Sequence, residues 1–192
     1  MPRFDPTQYG ISIAELLKEG RSMSLGPGAP NRSALELLES LTDAKAFPER
    51  QVTDGQMVRA ACESALFLYH DFLDRSHTIS QGIDTPTGSY WHGIMHRREP
   101  DYPNSKYWFR LVGGHEVFPD VCDAAKRIAQ DAMPDSEPTR FLATQVAWDP
   151  YAFVDLCEAG NRSGGALEKL CREIQSAEWE ILFDYSYRAA TT

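Results

Sequence analysis

Signals for the start of a helix recur along the whole chain, and they constrain its fold more than any other feature of the sequence. In a capping box, a hydroxyl and a carboxylate or amide three residues later satisfy the first free amide groups of a helix. Three segments fit this pattern: Ser12 to Glu15, Ser33 to Glu36, and Thr53 to Gln56. Alternating β-branched segments between hairpin turns are missing from the sequence. The sequence therefore predicts an all-α protein.

Caps, prolines and apolar periodicity predict an irregular bundle of seven or eight helices with little or no β-sheet. The helices are expected near residues 12–19, 33–41, 54–78, 87–99, 104–113, 119–132, 150–158 and 166–188. Residues 20–32 are rich in turn formers and are expected to form a connector that lies loosely over the surface. A length of 192 residues is typical of one domain, so residues 1–192 are predicted to form a single α-helical domain.

The formal net charge of −9 argues against a nucleic-acid binder or a protein that binds anionic membranes. The sequence contains no run of about 18 apolar residues that could span a membrane, and its first residues lack a signal-peptide pattern. The cysteines have no metal-binding or disulfide spacing, so they are expected to be buried free thiols: Cys62, Cys122, Cys157 and Cys171. A cytoplasmic location is the resulting expectation.

The segment from Tyr90 to His115 departs from this acidic average. It carries a net charge of +2, which leaves −11 for the rest of the chain, and it holds three of the five histidines. Arginines beside aromatic rings can clamp a phosphate, sulfate or carboxylate. Candidate contacts to a small anionic substrate are therefore Arg97, Arg98, Lys106, Tyr107, Trp108 and Arg110. In the structural alternative, the arginines pair with acidic residues and tie helices together.

Two histidines in this segment have the spacing of metal ligands on one helix. At about 100° per residue, His92, His96 and Glu99 point in similar directions. Apolar neighbours place this side of the helix in the interior, where imidazoles need a metal ion or hydrogen-bond partners. His115 follows a glycine pair and could turn back as a third ligand. The pattern predicts a Zn, Fe or Mn site, with substrate-binding, acid–base or core histidines as alternatives.

A polar stripe on the long helix predicted over 54–78 supplies further candidates. If this helix packs antiparallel to the next one, Asp74 and His77 come to lie opposite His92 and His96. Together with Glu99, these two residues are candidate acid–base catalysts. A solvent-facing polar stripe is the alternative interpretation, since most exposed helices have one.

The same residues resemble the signature of a group of uncharacterised bacterial proteins with fungal relatives, W-H-x-x-x-H-R-R-E-x-D-x-x-N-x-x-Y-W-F-R. It reads here Trp91-His92, His96-Arg97-Arg98-Glu99, Asp101, Asn104 and Tyr107-Trp108-Phe109-Arg110. With the stretch from His70, the likeness covers about 50 residues, a quarter of the chain. The resemblance implies that the segment acts as one unit, but it implies no reaction.

Three functions are compatible with these patterns. The first is a metal-dependent hydrolase or lyase that acts on a small anionic substrate. The second is a metal-free sensor or binding protein for a small anion, and the third is a structural or partner-binding helical protein. Metal content separates the first from the others, because only the enzyme needs a bound ion.

Overall fold

The computed structural model describes residues 4–41, 55–132 and 137–191, which form ten α-helices, short 3₁₀ turns and no strand. The prediction of an all-α bundle is confirmed. The helices are α1 (Ile11–Leu17), α2 (Leu35–Ser40), α3 (Gly55–Tyr69), α4 (Leu73–Ser80), α5 (Pro86–Arg98), α6 (Tyr102–Val112), α7 (Phe118–Ala132), α8 (Arg140–Thr144), α9 (Pro150–Ser163) and α10 (Gly165–Thr191).

Helix α10 is the central helix of the bundle and packs against α3, α7 and α9. Its Trp179 stacks on Phe183 with ring centroids 4.8 Å apart, and its indole N–H donates to the Ala65 carbonyl at 3.0 Å. The buried apolar side chains form one continuous cluster around it. All four cysteines are buried and free, as predicted. None of the described helices is long and apolar enough to cross a bilayer.

Helix α5 lies inside the bundle, between α3, α4 and α6. Every residue from Gly88 to Arg98 is buried. A helix with no exposed side must give each polar side chain on it a partner within the protein. The histidines and arginines of α5 are therefore all held in defined positions.

Helices α5 and α6 begin one and two residues before the starts predicted at 87 and 104. Thr85 caps α5 by accepting a hydrogen bond from the Gly88 amide at 3.1 Å, with Pro86 at the first helical position. The Asp101 carboxylate caps α6 by accepting from the Asn104 amide at 3.3 Å. Asn104 therefore lies inside the first turn of α6, and its side chain is available for other contacts.

Two of the predicted capping boxes are not used. Helix α1 begins directly after Gly10, and the Ser33 hydroxyl bonds the Asn31 side chain instead of a helix amide. The third predicted box, at Thr53, lies outside the described residues. Helix α8 was not predicted, because its five residues are too short to show a period.

The connector over residues 20–32 does not lie loosely on the surface, contrary to the prediction. Met23 and Leu25 are buried in the core. The Ser24 carbonyl accepts hydrogen bonds from Arg98 at 2.9 Å and from Gln175 at 3.0 Å. At Gly28, which has a positive φ of 72°, a Cβ atom would lie 2.6 Å from the Asp71 side chain. Side chains from α5 and α10 therefore fix a segment whose composition suggested mobility.

The long helix predicted over 54–78 is in fact two helices, α3 and α4, separated by a break at Asp71. Asp71 adopts a left-handed conformation with φ 64°, which aspartate tolerates better than most residues. Its carboxylate pairs with Arg98 of α5 and, at 3.0 Å, with Arg21 of the connector. Because of this break, α4 takes a new direction and packs against α5.

Candidate metal centre

Three imidazole rings meet between α4 and α5. His77 comes from α4, and His92 and His96 lie one turn apart on α5. Their ring centroids are 4.7 Å apart for His77 and His92, 5.2 Å for His77 and His96, and 4.6 Å for His92 and His96. One nitrogen from each ring lies within 4.8 Å of the other two. This group could hold a metal ion.

The contact with Ser80 favours one proton position on His92. The Ser80 hydroxyl lies 2.8 Å from the Ser76 carbonyl and 2.8 Å from Nδ1 of His92. When it donates its only proton to the carbonyl, its oxygen accepts a hydrogen bond from Nδ1. With the proton on Nδ1, Nε2 of His92 carries a lone pair. That lone pair faces His96.

The proton position on His96 follows in the same way from Glu99. Nδ1 of His96 lies 3.0 Å from the Glu99 carboxylate, which accepts a hydrogen bond from the Nδ1–H group. Nε2 of His96 then also carries a lone pair, and the two Nε2 atoms are 2.9 Å apart. At this distance the two Nε2 atoms either share a proton in a hydrogen bond or hold their lone pairs against a common cation. The arrangement resembles the carboxylate–histidine–metal geometry that orients ligands in metalloproteins.

The environment keeps the two imidazoles of α5 neutral. Burial, reinforced by the neighbouring His96 and His77 rings, lowers the pKa of His92 to about 3. Burial also lowers the pKa of His96, although the Glu99 carboxylate opposes that shift. Neutral imidazole is the form that binds a metal ion, so the rings need not lose a proton at neutral pH to act as ligands.

Helix α6 forms one wall of this group. Its Trp108 lies over the His92 ring with centroids 4.0 Å apart and remains half-buried. Its Asn104 places the side-chain amide nitrogen 3.1 Å from Nε2 of His96. These two residues are four apart and so lie on the same side of α6. The structure therefore places Trp108, a predicted substrate contact, beside the imidazoles.

Asn104 and Ser80 were not predicted as site residues. Asn104 was expected only as the start of the helix predicted near 104–113, and Ser80 had no distinguishing pattern. The spacing of Asn104 and Trp108 is the one signal that could have indicated Asn104, because it matches the spacing of His92 and His96 on the preceding helix.

His115 lies outside the imidazole group, although it was the predicted third ligand. Its Nε2 is 3.1 Å from the Thr87 hydroxyl, and its Nδ1 accepts from the Val117 amide at 3.3 Å. Its ring packs against Tyr90 and Tyr185 at 5.4 and 5.0 Å. The glycine pair does turn the chain, but toward the beginning of α5. His77, predicted as a catalytic residue, occupies the position expected for His115.

Arg97 is buried among protein side chains and is not open to a substrate. Its guanidinium is fully buried, pairs with the Glu178 carboxylate of α10 and lies 4.7 Å from the Phe153 ring centroid. The Tyr90 hydroxyl donates to the same carboxylate at 2.9 Å. Arg97 therefore ties α5 to α9 and α10, which is the structural alternative that the sequence left open.

Arg98 is also fully buried and engaged. It donates to the carbonyls of Ser24 at 2.9 Å and Leu68 at 2.7 Å, and it pairs with Asp71. These contacts hold the connector and the break between α3 and α4 in place. Neither arginine is open to a substrate, so the anion clamp predicted for this pair is not formed.

The other predicted site residues lie at or beyond the edge of the imidazole group. Lys106 pairs with Asp155 of α9, while Tyr107 and Arg110 are exposed on α6. Asp74 is exposed on the first turn of α4. The Glu99 side chain is 32% exposed and binds His96, so it orients a ring instead of serving as an unengaged base.

The chain matches no protein-family model, no curated protein and no solved structure. Its function must therefore be inferred from the geometry of the site.

Proposed function

We propose that this protein is a metal-dependent enzyme, a hydrolase or lyase, in which His77, His92 and His96 bind a divalent ion such as Zn, Fe or Mn. The observation that supports the proposal is the 2.9 Å separation of two Nε2 atoms, with Ser80 and Glu99 placed to hold the ring protons on the opposite nitrogens. Catalytic zinc sites use three protein ligands and keep one position open, and three histidines form one such set.

The dimensions of the group suit a single ion. Ligand nitrogens about 2.0–2.1 Å from a tetrahedral ion lie about 3.3 Å apart. The three nitrogens here lie within 4.8 Å of one another. His77 is half-buried, so its ring has more freedom to close onto an ion than the two buried rings of α5. Binding an ion would require the Nε2 atoms of His92 and His96, which are 2.9 Å apart, to separate slightly and the His77 ring to rotate toward them.

A divalent ion at this position would lower the pKa of a bound water molecule toward neutrality and polarise a substrate oxygen. The residues of the chain position its ligands: Ser80 orients His92, and Glu99 orients His96. Trp108 covers one side and limits access of water. Asp74, three residues before His77 on the same helix, is the candidate general base.

Metal analysis tests this proposal directly. The protein is purified without a nickel column, and its zinc, iron and manganese are measured by plasma emission before and after chelation and reloading. We expect about one equivalent of one metal, retained or rebound. His77→Ala should abolish binding, while His115→Ala, which also removes a partly shielded imidazole, should leave the stoichiometry unchanged.

Less than about 0.2 equivalents of any transition metal in folded protein, without rebinding, would overturn the proposal. Equal metal content in His77→Ala and the parent protein would also overturn this ligand assignment. Circular dichroism shows whether each variant is folded.

A further inference from the structure

We infer that the open position of this site takes the oxygen of a neutral carbonyl compound, an amide or an ester, in preference to an anion. The inference rests on the proposed metal centre and narrows its reaction to hydrolysis. The oxygen of water bonds to the carbonyl carbon, and the C–N or C–O bond breaks. One proton of the water goes to the leaving nitrogen or oxygen, and the other is released as the acid ionises.

Negative charge borders the imidazole group. The Glu99 carboxylate is 3.0 Å from the His96 ring, and the Asp101 carboxylate also acts electrostatically on that ring. Asp101 is held there by the hydrogen bond from its own amide to the His96 carbonyl, at 3.0 Å. A ligand that brings a further negative charge meets repulsion from both carboxylates, whereas a neutral ligand does not.

The nearby basic residues do not offset this charge. Arg97 pairs with Glu178, Arg98 with Asp71, and Lys106 with Asp155. On α4, Arg75 pairs with Glu39. Arg110 follows Trp108 by two residues, about 200° around α6, and so points away from the site. Within the described part of these helices, the metal ion is the positive charge available to a ligand.

Asn104 supplies a neutral hydrogen-bond donor at the required place. Since Nδ1 of His96 holds the proton, the Asn104 amide nitrogen donates to the lone pair on Nε2, 3.1 Å away. A metal ion bound to this lone pair would free the amide N–H for another acceptor beside His96. There it can donate to an oxygen bound to the metal and stabilise the charge that develops on it.

Trp108 supplies a flat apolar surface for the rest of the ligand. Its indole packs on the His92 ring and remains half-buried, so part of it borders the site. The planar group of an amide or aromatic ester can lie against such a ring. A metal ion, an amide donor and an aromatic wall together match a planar neutral carbonyl compound.

Benzamide and benzoate test the inference because they have the same shape and differ in charge. Cobalt(II)-loaded protein is titrated with each, and the visible absorption of the cobalt reports binding. We expect benzamide to bind about tenfold more tightly than benzoate. Asp101→Asn keeps a capping side chain, removes one charge and should tighten benzoate binding several-fold without changing benzamide binding. Inorganic phosphate should bind less tightly than benzamide.

Asn104→Ala should weaken benzamide binding about tenfold. Asn161→Ala, which removes an exposed amide bonded to Tyr102 on the other side of α6, should change neither ligand and serves as the control. If cobalt binds but benzoate or phosphate binds as tightly as benzamide, the inference is wrong and the metal centre still stands. If cobalt does not bind at all, the proposed function fails as well.

Discussion

The last two turns of α5 carry two buried pairs of basic side chains that are used in opposite ways. His92 and His96 each bind the protein through one ring nitrogen and direct the other toward a shared space. Arg97 and Arg98 each pair with a buried carboxylate. Burial does not separate the two pairs, because all four side chains are buried. The ring nitrogens that the two histidines direct toward each other identify the candidate site, and the ion pairs of the arginines identify the scaffold.

Helix geometry separates these two pairs in space. One residue along a helix is a rotation of about 100°, so His96 and Arg97 face different neighbours although they are adjacent in sequence. The histidine side of α5 faces α4 and α6, and the arginine side faces the connector, α3 and α10. The arginines thus hold in place the helix that presents the histidines.

The largest predicted effect is on the arginine side. Arg98→Met keeps the apolar length of the side chain but leaves the Asp71 carboxylate with Arg21 alone and removes one of the donors to the Ser24 and Leu68 carbonyls. Breaking a buried ion pair in this way should lower the free energy of unfolding by about 3–5 kcal/mol. Urea unfolding followed by circular dichroism measures the change.

Arg75→Met is the matched control for Arg98→Met. Arg75 pairs with Glu39 on the surface, with both side chains more than half exposed, so its loss should cost less than about 1 kcal/mol. A loss of less than about 1 kcal/mol in Arg98→Met as well would contradict the scaffold role of this arginine.

A second prediction concerns His70, which is next to Asp71 in the chain and lies near the Arg21 guanidinium. Burial and the nearby Arg21 guanidinium lower the pKa of His70 to about 4. Its Nδ1 accepts a hydrogen bond from the Asn31 amide at 3.1 Å, which protonation would break. The unfolded chain takes up this proton near pH 6.5 and the folded protein only near pH 4. The free energy of unfolding should therefore fall as the pH drops through this window.

Protonation of this one group should make the free energy of unfolding at pH 4.5 lower than at pH 7 by roughly 2.5 kcal/mol. His70→Asn keeps an acceptor for Asn31 and has no proton to gain. The difference in unfolding free energy between pH 7 and pH 4.5 should be smaller in this variant by about that amount. Equal differences in the two proteins would show that His70 does not contribute to the acid sensitivity.

A third prediction addresses the histidine side through metal affinity. Glu99→Gln replaces a carboxylate that accepts the His96 proton with a weaker, neutral acceptor. Such changes around a metal ligand typically cost 10–100-fold in affinity, and we expect about tenfold, or about 1.4 kcal/mol. Competition with a chromogenic chelator measures the metal affinity of each variant. Glu158→Gln, at an exposed surface pair with Arg162, should leave the affinity unchanged, and equal affinities in both variants would argue against a positioning role for Glu99.

The local part of this site could be predicted from the sequence. The spacing of His92 and His96 places their rings on one side of a helix, because helical periodicity depends only on neighbouring residues. The apolar residues around them correctly indicated burial. The all-α fold was predictable for the same reason, since helical apolar periodicity recurs along the chain.

The long-range part could not be predicted. Whether His77 or His115 joins the other two depends on the direction of α4, which depends on the break at Asp71. That break is stabilised by Arg98, 27 residues later in the chain. The roles of Arg97 and Arg98 likewise depend on partners from distant helices, and local spacing carries no information about these partners.

The smallest predicted effect concerns Lys106, a basic residue that was predicted to bind substrate. Its ammonium group pairs with Asp155, and the two side chains are 32% and 60% exposed. Lys106→Ala should therefore change the free energy of unfolding by less than about 1 kcal/mol and leave metal and benzamide affinity unchanged. Denaturant unfolding and the cobalt titration measure these quantities on one sample. A clear loss of benzoate affinity in this variant would show that the Lys106 ammonium group contributes to the site. The contrast between histidines that bind ligands and basic residues that only hold the fold together would then no longer hold.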